Sequence, residues 1–485
     1  MIPIAGYAPD LDPTTPGILT DCTSLIPTLK GYAGAPTASS IGADALAAAC
    51  QGAAVCVDLD DTVRVFAGTS TKLYELSGTS WTDVARVGDY SLGTDIRWCF
   101  SQFGNIGLAV SKPTTLQASN TGDFADVAGA PKATIVETVG QFVFLADTNE
   151  TTYGDSPDRW WCCAKGDYTD WSPDIATECA TGRLTSTPGP IKAAKRFGDA
   201  MVLYKERAMF LGVYVGAPQV WDFREIPGEI GALGEYAVVN VGTSDNPLHI
   251  FMAADDFYQF NGSRPVKIGT PVREAVYGQM NRNLAYLSIA QHDPTKALIR
   301  FYYCSTGQPV LDKCVVYNYK TGKWGRDDRT IEMAFQYVSG GITYATLGNL
   351  YSTYNDLPAI SYDSSFWTAR TPIPTVFNTS HQILTLTGQA TTSSMTSGDM
   401  GDEQRFSMLN RVIPRWLTKP TTASMINYYR DNLGDSLTTD QTTTIDARGR
   451  FDVMREARWH RIRMDFTGPT EITGFTPELV PGGYE

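Results

Sequence analysis

Short apolar runs recur along this chain. Each is closed by a tight turn and followed by an aromatic-rich run, then by a polar turn with Trp, Phe or Tyr near Asp. The clearest unit spans residues 63–85, VRVFAGTSTKLYELSGTSWTDVA. Others end at residues 116–128, 160–173, 210–226, 257–269 and 315–328, and a degenerate seventh begins at 348–356. With Leu73, Leu116, Trp161, Leu211, Tyr258, Val316 and Tyr351 as anchors, the steps run from about 35 to about 58 residues. One four-stranded propeller blade consumes a comparable length. A lone blade leaves both faces wet, and stacking blades in a closed ring covers the faces and leaves only short edges.

Inside a unit the period is two. In KLYELSG, Leu73, Glu75 and Ser77 point one way and Tyr74 and Leu76 the other, which suits a strand packed on both faces. Ser77-Gly78, Asn261-Gly262 and Thr321-Gly322 predict tight turns, because glycine accepts positive φ. Helix is scarce: residues 272–287 form the best stretch, interrupted by Gly278, and the alanine-rich residues 41–54 read as either a helix or the opening strand.

The pattern changes near Phe377. Residues 377–402 are rich in Ser, Thr, Gly and Met, and an antiparallel β region follows from about Arg411. Its closing strand, RWHRIRMDFTG, places His460, Ile462, Met464 and Phe466 on one face and Trp459, Arg461, Arg463 and Asp465 on the other. The first 30 residues are proline-rich and aperiodic. The expected organisation is an extended N-terminal arm over 1–40, propeller-like repeats over 41–376, and a C-terminal β region over 377–485. The fold class expected is all-β: an irregular β-propeller with an additional C-terminal antiparallel β domain and little helix.

Composition and charge narrow the function. Of 485 residues 42% are hydrophobic, enough for a sizeable core. The net charge of −13 argues against a protein that grips nucleic acid, which needs surplus Lys and Arg, but suits a wall past which DNA slides. Nine irregularly spaced cysteines without C-x-x-C read as buried free thiols. No signal peptide and no bilayer-length apolar run is visible, so synthesis in the cytosol without membrane insertion is expected.

No catalytic, cofactor-binding or metal-binding residue is assigned. His249, His292, His381 and His460 are scattered, and no nucleophile elbow, Walker A loop or dinucleotide fingerprint occurs. The pairs Asp255-Asp256 and Asp327-Asp328 and the cluster Asp58, Asp60 and Asp61 read as turn formers. The tails of two repeats resemble the end of a sialidase Asp box but lack its aspartate. The one basic concentration is Arg448, Arg450, Arg455, Arg458, Arg461 and Arg463, read as a subunit contact or as a solvated strand face.

A proline-rich start containing GILTDCTSLIPTLKGY, irregular propeller repeats, and the ending REARWHRIRMDFTGPTEITGFTPEL come in a familiar order. In that order the chain resembles the tail hub or nozzle (packaged-DNA stabilisation) proteins of short-tailed bacteriophages. The resemblance implies a structural, non-enzymatic virion protein of the head–tail connector complex, without cofactors. It further implies a homo-hexameric ring in the virion tail, below the portal and its head–tail adaptor. The ring would seal packaged DNA and guide its ejection through the lumen without sequence recognition. It would dock tail fibres or tailspikes at its sides and a tail needle or tip protein at its end. On this reading Arg455, Arg458, Arg461 and Arg463 are subunit-interface candidates, and Asp58, Asp60 and Asp61 are channel-lining candidates. The alternatives are a host-surface-binding propeller (an adhesin) and a sialidase-like glycoside hydrolase.

Overall fold

The structure, a computed structural model, describes residues 1–339 and 371–482. Five successive sheets have four antiparallel strands each, a sixth set of four belongs to a larger sheet, and a further four-stranded sheet completes the series. We number the blades by chain order. Blade 1 is built from Gly52–Val57, Val63–Gly68, Leu73–Ser77 and Ser80–Asp83. Blades 2 to 5 open with the inner strands Cys99–Phe103, Lys132–Val139, Ile191–Phe197 and Val238–Asn240. Blade 6 comprises Ile289–Asp293, Leu298–Tyr303, Lys313–Asn318 and Lys323–Arg326. Blade 7 comprises Met333–Val338, Pro372–Phe377 and Ile383–Gly388, with Thr37–Ser40 as its outermost strand. Each inner strand packs on the next, and that of blade 7 packs on that of blade 1, so the ring closes.

The repeat motif is the outer hairpin of a blade: residues 210–226, 257–269 and 315–328 hold the third and fourth strands of blades 4, 5 and 6. The three predicted glycine turns adopt positive φ, at 64°, 99° and 70° for Gly78, Gly262 and Gly322. Residues 41–51 carry no helix, and the opening strand begins at Gly52. The segment 272–287 breaks at Gly278 into the short helix Arg273–Tyr277 and the 3₁₀ turn Arg282–Leu287. The degenerate repeat at 348–356 lies outside the described residues.

Both chain ends build a second layer beside the ring. The sheet of blade 6 continues from Lys323–Arg326 through Leu25–Pro27, Tyr32–Gly34, Glu471–Pro481 and Ser407–Thr418 to Phe451–Ala457. A seven-stranded sheet joins Gly6–Tyr7, Ile18–Thr23, Thr392–Ser397, Trp459–Thr467, Thr422–Arg430 and Thr438–Thr444, with Met400–Gly401 on the side. The proline-rich start is therefore woven into these sheets instead of lying across them as an arm. Residues 377–388 belong to blade 7, so the C-terminal layer begins later than the sequence suggested.

One hydrophobic core runs through both layers. Met395, Met425, Ile462, Met464 and Phe466 of the seven-stranded sheet share it with Phe257, Phe301 and Trp324 of blades 5 and 6. His460, Ile462, Met464 and Phe466 are all buried on one strand face, as their alternation predicted. Tyr32 ties the layers together: its hydroxyl donates to Trp324 O and accepts the Tyr7 N–H.

Candidate functional site

Asp58, Asp60 and Asp61 sit together at the tip of the first hairpin of blade 1, past the end of the innermost strand. Asp58 N–H donates to Thr62 O and Asp61 N–H to Asp58 O, each at 2.9 Å. Asp60 Oδ1 accepts the Thr62 N–H at 3.0 Å, which holds its carboxyl below the usual range. Asp61 takes a positive φ of 74°, a conformation aspartate tolerates better than most residues. Leu59 between them is 84% exposed.

The arginines of the C-terminal region are engaged within the chain. Arg455 holds Asp440 through two bonds of 2.9 Å and lies over the Tyr429 ring. Arg461 grips the buried Asp399 at 2.8 and 3.0 Å, and Arg430 binds the same carboxylate from the next strand. Arg463 pairs with Asp465, and Arg450 with Asp446. Arg458 stacks on Phe406, 4.9 Å from the ring centre, and forms no ion pair among the described residues. Of the four interface candidates, it alone carries a charge with no acid beside it.

Sequence reasoning missed the charges at the centre of the ring. Lys195, on the inner strand of blade 4, forms an ion pair with Glu235, which also accepts the Ala194 N–H at 3.0 Å. Glu137, on the inner strand of blade 3, is half-buried beside them. Desolvation lifts its carboxyl to about 7, against the pull of Lys195. A cavity of about 360 Å³ is lined by Glu235, and it shares Asp95, Arg97 and Tyr286 with a second of about 480 Å³. Arg97 donates to Cys50 O at 3.2 Å, and burial disfavours its charged form. The site offers a polar wall and a half-buried guanidinium able to hold an anion.

The histidines lie apart and act as packing and hydrogen-bonding groups. His249 Nδ1 meets the Tyr204 hydroxyl at 2.7 Å and Nε2 meets Arg196 O at 2.9 Å, and burial pushes its pKa down to about 4. His292 is likewise lowered to about 4, and His381 pairs with Glu332. All nine cysteines are free and buried. Burial raises the Cys163 and Cys304 thiols to about 11, which keeps them protonated and unreactive. Among the described residues no group of three His, Cys, Asp or Glu side chains could hold a metal ion, and no helix is long and apolar enough to cross a membrane.

No protein-family model matches the chain, and no curated protein does. Among solved structures it is similar to YCF48 bound to D1 peptide, at 11% identity and a TM-score of 0.37, over 74% of this chain and 97% of that one. It is also similar to BamB from Moraxella catarrhalis, at 12% identity and a TM-score of 0.36, over 76% and 96% of the two chains. A computationally designed protein, Ika8, matches at 11% identity and a TM-score of 0.36, over 72% and 99%. Likenesses this distant say nothing of function, and the all-β propeller arrangement is read from the chain's own sheets.

Proposed function

We propose that this chain is a structural protein of a virion tail, a hub or nozzle ring below the portal and its adaptor. The observation that supports this reading best is the use of both chain ends to join the propeller to a second β layer through one continuous core. Domains linked only by a flexible connection swing by default. A shared core suits a part that must keep its shape while DNA passes. The formal charge of −13 per chain becomes six times −13 in a hexamer, which favours a lumen that releases DNA. On this reading the protein is not an enzyme, and its outer surfaces hold fibres or tailspikes and a needle or tip protein.

The test is to mix the purified protein with adaptor rings and image the product by negative stain. A six-fold ring capping the adaptor is expected. Protein that stays monomeric and never joins such rings would overturn the proposal. Cell binding by the isolated protein, or glycan cleavage lost on changing one carboxylate, would instead favour an adhesin or a glycosidase.

A further inference from the structure

Two exposed features on one face of the ring complement each other. The first is the tip of the first blade 1 hairpin, Asp58-Leu59-Asp60-Asp61, where Leu59 stands in solvent beside the exposed Asp60 and Asp61 and the half-buried Asp58. The second is a groove of about 490 Å³ where blade 6 meets the second layer. Leu29 and Leu417, 67% and 48% exposed, give the groove an apolar floor. Lys30, Lys296 and Lys320 are exposed side chains that also line it. Glu471 is its single acid, and it accepts the Thr28 hydroxyl at 3.0 Å.

Three lysines converge on this groove. Elsewhere Lys72, Lys112, Lys165, Lys195, Lys267 and Lys313 have carboxylate partners, while Lys132, Lys192, Lys205, Lys323 and Lys419 form no ion pair among the described residues and do not line this groove. Lys30, Lys296 and Lys320 form no ion pair among the described residues. Three cations against the one carboxylate of Glu471, around exposed leucines on a chain of net charge −13, point to an acidic occupant with an apolar anchor.

We propose that the occupant is a second copy of this chain, whose Asp58-Leu59-Asp60-Asp61 tip enters the groove. Leu59 would cover Leu29 and Leu417, and its flanking carboxylates would meet the three ammonium groups. The topology allows the exchange to be mutual. The tip joins the first two strands of blade 1, and Lys296 lies in the corresponding turn of blade 6. Inner strands run in one sense around a propeller, so these turns share a face. Two copies facing one another across a two-fold axis can each place a tip in the other's groove, an isologous contact. This inference does not rest on the tail-hub reading.

Sedimentation velocity of the full chain over a range of concentrations and salt tests the proposal. A species of two chains is expected, weakening as salt rises because the contact is charged. The groove variant K30E/K320E and the tip variant D60K/D61K should each dimerise at least about tenfold more weakly. Mixed together they should pair with each other, because each contact again joins opposite charges. Recovery on mixing shows that both variants are folded. A wild type that stays monomeric, dimers indifferent to both variants, or a mixture that fails to pair would each overturn the inference.

Discussion

Asp399 is the most consequential single carboxylate in the C-terminal layer, and replacing it with asparagine tests the assignment of the arginine cluster. Its side chain is fully buried and carries two guanidinium groups, from Arg430 and Arg461, whose own side chains are 11% and 19% exposed. Removing one partner of a buried pair costs about 3–5 kcal/mol. Two features reduce that here. Arg461 keeps some contact with water, and Arg430 also donates to the carbonyls of Leu433 and Asp435. We expect D399N to lose about 2–3 kcal/mol. With an unfolding entropy of about 2.1 cal/mol/K per residue, 1 kcal/mol moves the midpoint of a 485-residue cooperative unit by about 1 °C. The expected drop is then about 2–3 °C, larger if the second layer melts separately. The control is D465N, whose partner Arg463 is 43% exposed and which should stay within about 0.5 kcal/mol of the wild type. Thermal and urea unfolding followed by tryptophan fluorescence would measure both. Equal effects in the two variants would refute the view that Arg461 is a structural arginine.

Other expectations follow from the same geometry. Y32F leaves the Trp324 carbonyl and the Tyr7 N–H without their buried partner and should cost about 1–3 kcal/mol, read from urea midpoints. G68A should destabilise more than an ordinary surface change, because a Cβ there would lie 2.3 Å from Cδ1 of the fully buried Trp98; near-ultraviolet dichroism would report the displaced indole. Glu137 is protonated more readily folded than unfolded, so its contribution is present below about pH 4.5 and is lost as pH rises through about 7; E137Q should flatten that loss in stability measured from pH 4 to 8. His249 has the opposite slope: its neutral form is favoured on folding, so stability falls as pH drops from about 6.5 to about 4, and unfolding midpoints across that window should show it.

What the sequence revealed and what it hid divide along physical lines. The outer hairpins were legible because alternation, aromatic side chains and a glycine turn are packed into about fifteen residues. The strand Trp459–Thr467 was legible because its buried face repeats four times without interruption. The chain start was not. Its strands are two to six residues long, and their partners lie far along the chain: Ile2 pairs with Phe475 and Leu19 with Ser397. Nothing local marks Thr37–Ser40 as a strand, since what orders it is Ile383–Gly388, joined only when the ring closes. The arginine cluster read as basic for a similar reason. Asp440 precedes Arg455 by 15 residues, and Asp399 precedes Arg461 by 62, beyond any window in which a charge run is judged.

Several of the ring's polar contacts nevertheless share one regularity, and it comes from the repeat itself. Neighbouring blades place equivalent strands side by side, so side chains that bond across a blade boundary are separated by about one repeat. Lys195 and Glu235 are 40 residues apart, Arg86 and Asp126 also 40, Ser101 and Thr138 37, and Tyr204 and His249 45. These separations match the steps between the motif anchors. Lys195 and Glu235 show that the ionisable partner of an inner-strand residue can lie one period away, while Asp293 and Arg300 of blade 6 show that it can also lie within one hairpin. Lys296 and Lys320 belong to blade 6, whose sheet continues into the second layer, and the one acid lining their groove, Glu471, comes from that layer.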